Sequence, residues 1–208
     1  MSNECRIAAV VLAAGGSTRL GHPKQLLQLG ERVLIDHTLS AVRRAGHIDD
    51  YFIILGHAED DIRAQSDLTG FTQISNSTYS EGQSTSVRIA IEQIPEAIDA
   101  AVFVLADQPL QVPDVIERLA ASYRENPAPI IQPVYADGPG NPVLISRDVF
   151  PDLAHLTGDT GARPVLKRRK AEIRKIDCSE WSRPLDVDTV EDYERIKQQY
   201  ELGELDQS

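Results

Sequence analysis

Apolar positions along this chain follow two alternating patterns. Ile7 to Leu12 and Ala100 to Leu105 are apolar at every position, the pattern of strands buried on both faces. Tyr51 to Leu55, closed by Gly56, reads the same way, and Phe71 to Ile74 is a shorter run. Between these runs the apolar residues take helical spacing. Val33 to Ala45 puts Leu34, Ile35, Leu39 and Val42 on one face and stops at Gly46. Gln83 to Ile94 stops at Pro95, and Pro113 to Tyr123 starts with Pro in its first turn, where the missing N–H costs nothing. Strand–helix alternation predicts parallel strands joined by right-handed crossovers. The fold class is then α/β, a three-layer α/β/α sandwich with a Rossmann-like, mostly parallel sheet. Ligands in such sheets bind beyond the C-terminal strand ends, so the loops after Leu12, Leu55 and Leu105 are expected to share one rim.

The second half is less regular. Residues 126–141 carry Pro127, Pro129, Pro133, Pro139, Gly138 and Gly140, which is loop chemistry around one short strand, Ile130 to Val134. Pro142 to Ile145 and Ile173 to Asp177 read as further strands, and Asp148 to Leu156, Ala162 to Lys170 and Thr189 to Tyr200 as helices. Neither an internal repeat nor a linker divides the pattern. Residues 1–200 read as one domain and 201–208 as an acidic, frayed tail.

The totals narrow the field. The 208 residues, 41% of them hydrophobic, suit one α/β domain. With 21 Lys+Arg against 32 Asp+Glu the net charge is −11, which disfavours nucleic acid and anionic membranes as partners. Cys5 and Cys178 have no CxxC spacing, so a disulfide scaffold or zinc site is not expected. The polar start, Met1-Ser2-Asn3-Glu4, does not read as a signal peptide, and no apolar run is long enough to span a bilayer. The expected location is the cytoplasm.

Candidate chemistry begins where the first strand ends, in Leu12-Ala13-Ala14-Gly15-Gly16-Ser17-Thr18-Arg19-Leu20-Gly21-His22-Pro23-Lys24. Gly15 and Gly16 let backbone N–H groups approach an anion, and Ser17 and Thr18 add hydroxyls. Arg19 offers a bidentate fork and Lys24 a point charge. Residues Leu12 to Ser17 with Lys24 therefore read as a cradle for a triphosphate, although neither GxxxxGK[ST] nor GxGxxG spacing is present. A tight turn with solvated Arg and Lys is the plainer alternative.

Acidic residues follow the fourth strand and precede the last helix. Asp107, in Ala106-Asp107-Gln108-Pro109, stands at a strand's C-terminal end, where it either caps a turn or helps hold a hard divalent cation. Asp186 and Asp188, in Leu185-Asp186-Val187-Asp188-Thr189, share one face if extended. Asp188 can also N-cap the final helix, with Glu191 completing a capping box. Gln83 and Ser84, at a helix start, can hydrogen-bond a nucleobase edge or ribose, or can simply cap the helix. Asn141 lies in Gly140-Asn141-Pro142, and Asp159 and Arg163 lie in Leu156-Thr157-Gly158-Asp159-Thr160-Gly161-Ala162-Arg163. Arg163 is suited to an acceptor phosphate. The five histidines have no ligand spacing and read as surface or satisfied residues; His22 stands apart because it lies in the glycine loop. The basic run Lys167 to Lys170 reads as a solvated helical face.

These segments together resemble the molybdenum cofactor cytidylyltransferase family within the MobA-like NTP transferases. The resemblance covers the Leu-Ala-Ala-Gly loop, Glu81-Gly82 with Ser86, Asp107-Gln108-Pro109, Gly140-Asn141-Pro142, Leu156 to Arg163 and the final Asp-x-Asp-Thr-x-Glu-Asp. Asn141 stands where those enzymes usually carry His. The resemblance implies a fold of the nucleotide-diphospho-sugar transferase type. It also implies transfer of CMP from CTP to a molybdopterin-type acceptor phosphate, with release of pyrophosphate. By the same resemblance Lys24, Arg19 and Asp107 are the catalytic set: Lys24 steadies the α-phosphate, Arg19 contacts the β- and γ-phosphates, and Asp107 holds Mg²⁺, with Mn²⁺ as an alternative ion. Asp188, with Asp186 in reserve, completes the metal site, and Asn141, Asp159 and Arg163 face the acceptor. A molybdenum hydroxylase or its chaperone is the implied protein partner. Two rival readings stay open: a guanylyl or other NTP transferase with a different phosphorylated acceptor, and a non-catalytic cofactor-binding module on the same fold.

Overall fold

A computed structural model describes residues 5–16 and 22–202. Its core is a sheet of eight strands. Strand β1 (Ile7–Leu12) lies at the centre, parallel to β4 (Asp50–Leu55) on one side and to β6 (Ala100–Leu105) on the other. Beyond β4 lies β5 (Thr72–Ser75), also parallel. Beyond β6 the direction reverses and then returns: β9 (Val143–Ser146) runs antiparallel to β6 and to β7 (Ile130–Tyr135), and β10 (Ile173–Asp177) is parallel to β7 at the edge. The short β8 (Gly138–Pro139) pairs with β7. The sheet is therefore mostly parallel and mixed at β9, which returns by a short loop after β7 instead of a helical crossover.

The unbroken apolar run of β1 is explained by its two covers. Ile7, Ala9 and Val11 point into one core with Ile35, Leu39 and Val42 of α1 (Leu34–Arg44) and Ile116 and Leu119 of α4 (Pro113–Glu125). Ala8 and Val10 point into the other, with Val87 and Ala90 of α3 (Gln83–Gln93), Phe150 and Leu153 of α5 (Phe150–Leu153) and Val165 of α6 (Arg163–Arg168). The three layers follow from alternation along a strand that meets helices on both sides.

Several boundaries differ from expectation. The helix read over Asp148 to Leu156 is a 3₁₀ turn, Arg147–Val149, followed by the short α5. Pro151 sits in the first turn of α5, the place a helix tolerates it. The helix read over Ala162 to Lys170 stops at Arg168, and Lys170–Glu172 forms a separate 3₁₀ turn. Two elements had no apolar pattern to reveal them. Helix α2 (Glu59–Gln65) buries only Ile62. Strands β2 (Gln28–Leu29) and β3 (Arg32–Val33) form a small antiparallel hairpin. Its turn residue Gly30 has φ +61°, and a Cβ there would come within 2.6 Å of the Tyr200 ring. That ring belongs to the last helix, α7 (Val190–Glu201), which packs with Val187 and the hairpin in a satellite core of Leu29, Leu34 and Ile196. No helix among the described residues is long and apolar enough to cross a membrane.

Candidate active site

The loop after β1 is held by groups on both sides. The Ala13 N–H donates to the Ile54 carbonyl at 2.9 Å, and the His57 N–H donates to the Ala14 carbonyl at 3.3 Å. The buried Gln25 side chain donates to the carbonyls of Ala13 (3.3 Å) and Gly15 (3.0 Å). In a trans peptide C=O and N–H point opposite ways, so the N–H groups of Ala14 and Gly16 are turned away from Gln25. Gln25 is a residue that sequence reading missed; its only signal is its place just after Lys24. Ser17 and Arg19, expected to contact phosphates, lie outside the described residues.

Across the sheet, β6 ends beside β1: the Ala106 N–H donates to the Leu12 carbonyl at 3.2 Å. Asp107 follows, and Lys24 Nζ lies 2.8 Å from Asp107 Oδ2 and 2.7 Å from Asp188 Oδ1. Val187 explains how two aspartates, Asp186 and Asp188, come to line one cavity. Its side chain is fully buried in the satellite core and its N–H donates to the Asp107 carbonyl at 2.9 Å. Pinned there, it turns both of its neighbours outward from that core. The helix cap is one residue later than expected. Thr189, not Asp188, caps α7 in a reciprocal box with Asp192, not Glu191, which leaves the Asp188 carboxylate to Lys24.

Gln108, buried, donates to Asp186 Oδ1 at 2.9 Å and accepts from Gln111 at 3.1 Å. Asp107-Gln108 is thus a unit in which the Asp faces Lys24 and the Gln orients a second carboxylate. Burial, and then the charge of Asp107, push the Asp186 carboxyl above the usual carboxylate range. Burial alone would lower the Lys24 ammonium, but the charge of Asp107 and the hydrogen bonds to Asp107 and Asp188 outweigh it and raise its pKa.

These groups surround a cavity of about 430 Å³, within the range of small-molecule sites. Leu12, Ala14, Gly15 and Gly16 form one side, and Lys24, Gln25, Asp107, Asp186 and Asp188 another. Gln83 and Ser86 of α3, with Tyr79 and Gly82 from the turn that leads into it, form a further wall, and Asp159 and Arg163 complete the rim. The loops after Leu12 and Leu105 therefore meet as expected, and the loop after Leu55 braces the first of them through His57. Three expected contacts fall elsewhere. Ala13 and Ser84 are buried, and the Asn141 carbonyl accepts from the Tyr135 hydroxyl (2.6 Å); none of the three lines the cavity. For Ser84 the reason is helical phase, since Gln83 and Ser86 occupy the cavity face of α3. Ser86 is itself fixed from below by Asn76, buried, whose amide donates to Thr85 Oγ1 (2.8 Å) and Ser86 Oγ (3.0 Å).

The α3 wall and the rim are joined by two hydrogen bonds from the first N–H groups of the helix. Asp159 Oδ1 accepts from the Gln83 N–H at 3.1 Å, and the Ser84 N–H donates to the Gly158 carbonyl at 3.2 Å. Gly82 has φ +111°, and a Cβ on it would lie 2.5 Å from the Gly158 carbonyl. Asp159 is thus engaged in capping α3, while Arg163, the first residue of α6, is exposed at the rim.

Among the described residues no group of three or more His, Cys, Asp or Glu forms a ready metal cage. Asp107 and Asp188 nevertheless fit a magnesium-type ion. Such ions take one or two carboxylates with substrate phosphates and water, and a cation, the Lys24 ammonium, already sits between these two.

Residues 9–173 match the family model described as MobA-like NTP transferase domain. The chain belongs to this family. Its fold is accordingly the nucleotide-diphospho-sugar transferase type, and the family supports an enzyme that transfers a nucleotide. Within the family, the chain is 31% identical to nicotine blue oxidoreductase of Paenarthrobacter nicotinovorans, over 91% of this chain and 96% of that protein. It is 24% identical to the molybdenum cofactor cytidylyltransferase of Escherichia coli, over 93% and 97%. The crystal structure of Rv0371c from Mycobacterium tuberculosis superposes with a TM-score of 0.84 at 34% identity, covering 94% of this chain and 99% of that one. A second structure of Rv0371c, at 32% identity and TM-score 0.79 over 93% and 98%, is a complex with manganese.

Proposed function

We propose that this protein transfers CMP from CTP to the terminal phosphate of a molybdopterin-type acceptor. The observation that carries the reading is the placement of Lys24 Nζ between Asp107 and Asp188, at 2.8 and 2.7 Å, in a cavity also lined by Gly15 and Gly16. A glycine turn and a carboxylate at adjoining strand ends, with a cation and a second carboxylate brought beside them, are the parts a metal-bound triphosphate needs.

An acceptor phosphate oxygen attacks the α-phosphorus in line. The bond from that phosphorus to the bridging α–β oxygen breaks, and pyrophosphate leaves. Lys24 neutralises charge on the α-phosphate as the transition state forms. The turned-out N–H groups of the glycine loop hold the phosphate tail, and Arg163 holds the acceptor's phosphate in position. Asp107 and Asp188 would hold Mg²⁺, which when bound supplies further charge neutralisation on the phosphates. The attacking phosphate is already anionic, so no protein nucleophile is required. The manganese complex of Rv0371c supports a divalent ion, and the resemblance of the Leu-Ala-Ala-Gly opening to that of cytidylyl enzymes, where guanylyl relatives more often read Leu-Ala-Gly-Gly, supports CTP over GTP.

The test is an NTP panel with purified molybdopterin as acceptor, read by product mass and pyrophosphate release. A CMP adduct with CTP and loss of it in Lys24→Ala, with thermal unfolding near that of wild type, is the expected result. GTP-dependent product would replace the base assignment. Because a 31%-identical relative bears the name of an oxidoreductase, the panel includes NADH and NADPH. Their oxidation with no nucleotide product would overturn the transferase reading.

A further inference from the structure

We propose that the Tyr79 ring, braced by His57, is the surface on which the nucleobase of the NTP stacks. This rests on the nucleotide-binding reading above and deepens it. Tyr79 lines the cavity with Gln83 and Ser86, three uncharged side chains, and the charged Asp159 and Arg163 stand at the rim beyond Gln83. Lys24, Asp107, Asp186 and Asp188 are grouped in another part of the lining. A metal-bound triphosphate belongs with Lys24 and its carboxylates, so the uncharged heterocycle falls against the Tyr79 ring.

Three observations fix the ring in place. A Cβ on Gly56 would lie 2.7 Å from Ala14 Cβ and 2.9 Å from Tyr79 Cβ, so the glycine lets Tyr79 close directly on the first loop. His57 meets the ring edge-on, with centroids 5.6 Å apart and planes at 62°, and its Nδ1 lies 3.5 Å from the Tyr79 hydroxyl. His57 also backs Gly16, 3.7 Å from where its Cβ would be. A positioned aromatic face beside an amide and a hydroxyl offers a flat heterocycle stacking together with hydrogen bonds for its edge. Gln83 and Ser86 supply those edge groups. Tyr79 is the base-stacking contact and His57 the positioning residue that holds its plane, while choice among bases falls to the edge groups.

The experiment compares CTP with inorganic triphosphate as probes, with magnesium present. In wild type both bind, triphosphate as a competitor of CTP. Tyr79→Ala is expected to raise the CTP KM about tenfold or more, with the triphosphate inhibition constant unchanged, and Tyr79→Phe, which keeps the ring, is expected to restore most of the loss. In a second variant, Tyr79→Trp, CTP is expected to quench the new indole fluorescence and triphosphate is not; wild type, with Trp181 as its one tryptophan, gives the background. Equal effects of Tyr79→Ala on CTP and triphosphate, or no quenching in Tyr79→Trp while CTP still binds, would overturn the stacking role and leave the nucleotide site standing. Failure of both probes to bind wild type would overturn the nucleotide reading and the stacking role together.

Discussion

Lys24 and its two aspartates form an arrangement built for a ligand more than for stability. Asp188 is 54% exposed, and exposed ion pairs contribute about 0–1 kcal/mol. Asp188→Asn is therefore expected to shift the urea unfolding midpoint little while lowering pyrophosphate release about a hundredfold. Asp107→Asn should lower turnover at least as far, and raising the magnesium concentration should recover less of it. Among these residues Lys24, Asp107 and Asp188 were legible from the chain, because a cation and carboxylates at loop positions have few other uses. Gln25, Gln108 and Asn76 were not. Their work is to hold peptide groups and other side chains from buried positions, and a lone amide in a sequence carries no mark of that.

Helix α7 and the β2–β3 hairpin act as one clamp on the site, since Lys24 immediately precedes the hairpin and Asp186 and Asp188 immediately precede the helix. Val187 is the joint. Val187→Ala opens a space in the satellite core and is expected to cost about 1–3 kcal/mol in urea unfolding, together with a fall in kcat as its flanking carboxylates lose their common orientation. Thr189→Ala removes the cap and should cost about 1 kcal/mol with a smaller effect on kcat. Comparing the two separates loss of helix from loss of aim. The long, strongly patterned elements around β1 and β6 were readable because each buries apolar residues at one repeat. The hairpin was not, because strands of two residues have no period; nor was α2, which buries a single residue. The cap moved by one position because Thr189 and Asp192 satisfy the same pattern as Asp188 and Glu191, and only packing decides between them.

At the scale of the molecule, His37 links the clamp to acidity. Its Nε2 lies 2.9 Å from the Leu29 carbonyl and its Nδ1 3.4 Å from the Arg32 guanidinium. The fitting tautomer is neutral, with Nε2–H donating and Nδ1 accepting, and the Tyr200 ring stands edge-on 5.2 Å away. Burial, followed by the positive charge of Arg32, holds its pKa below the usual histidine value against the opposing pull of Leu29 and Asp36. Below pH of about 6.5 the unfolded chain binds a proton that the folded chain refuses. Stability is thus expected to fall as pH drops through that value, and a His37→Gln variant should show a flatter urea midpoint between about pH 6.5 and 5. A ligand gives a second whole-molecule readout: CTP with magnesium should raise the unfolding temperature in a concentration-dependent way, and a chelator should remove most of the gain. The parallel layers and the shared rim were foreseeable from alternation; the antiparallel β9 was not, because pattern tells that a strand is buried and not which way it runs.

Gly82 meets the carbonyl of Gly158 with no side chain between them, so the wall proposed to face a base and the rim proposed to face an acceptor are two sides of one slab. A methyl group inserted there, as in Gly82→Ala, acts as a wedge against a backbone that also disallows it by its angle. Both Michaelis constants should then rise together. Substrate choice at the two ends of the reaction is, in that sense, inherited jointly: neither end can be widened without the other feeling the strain.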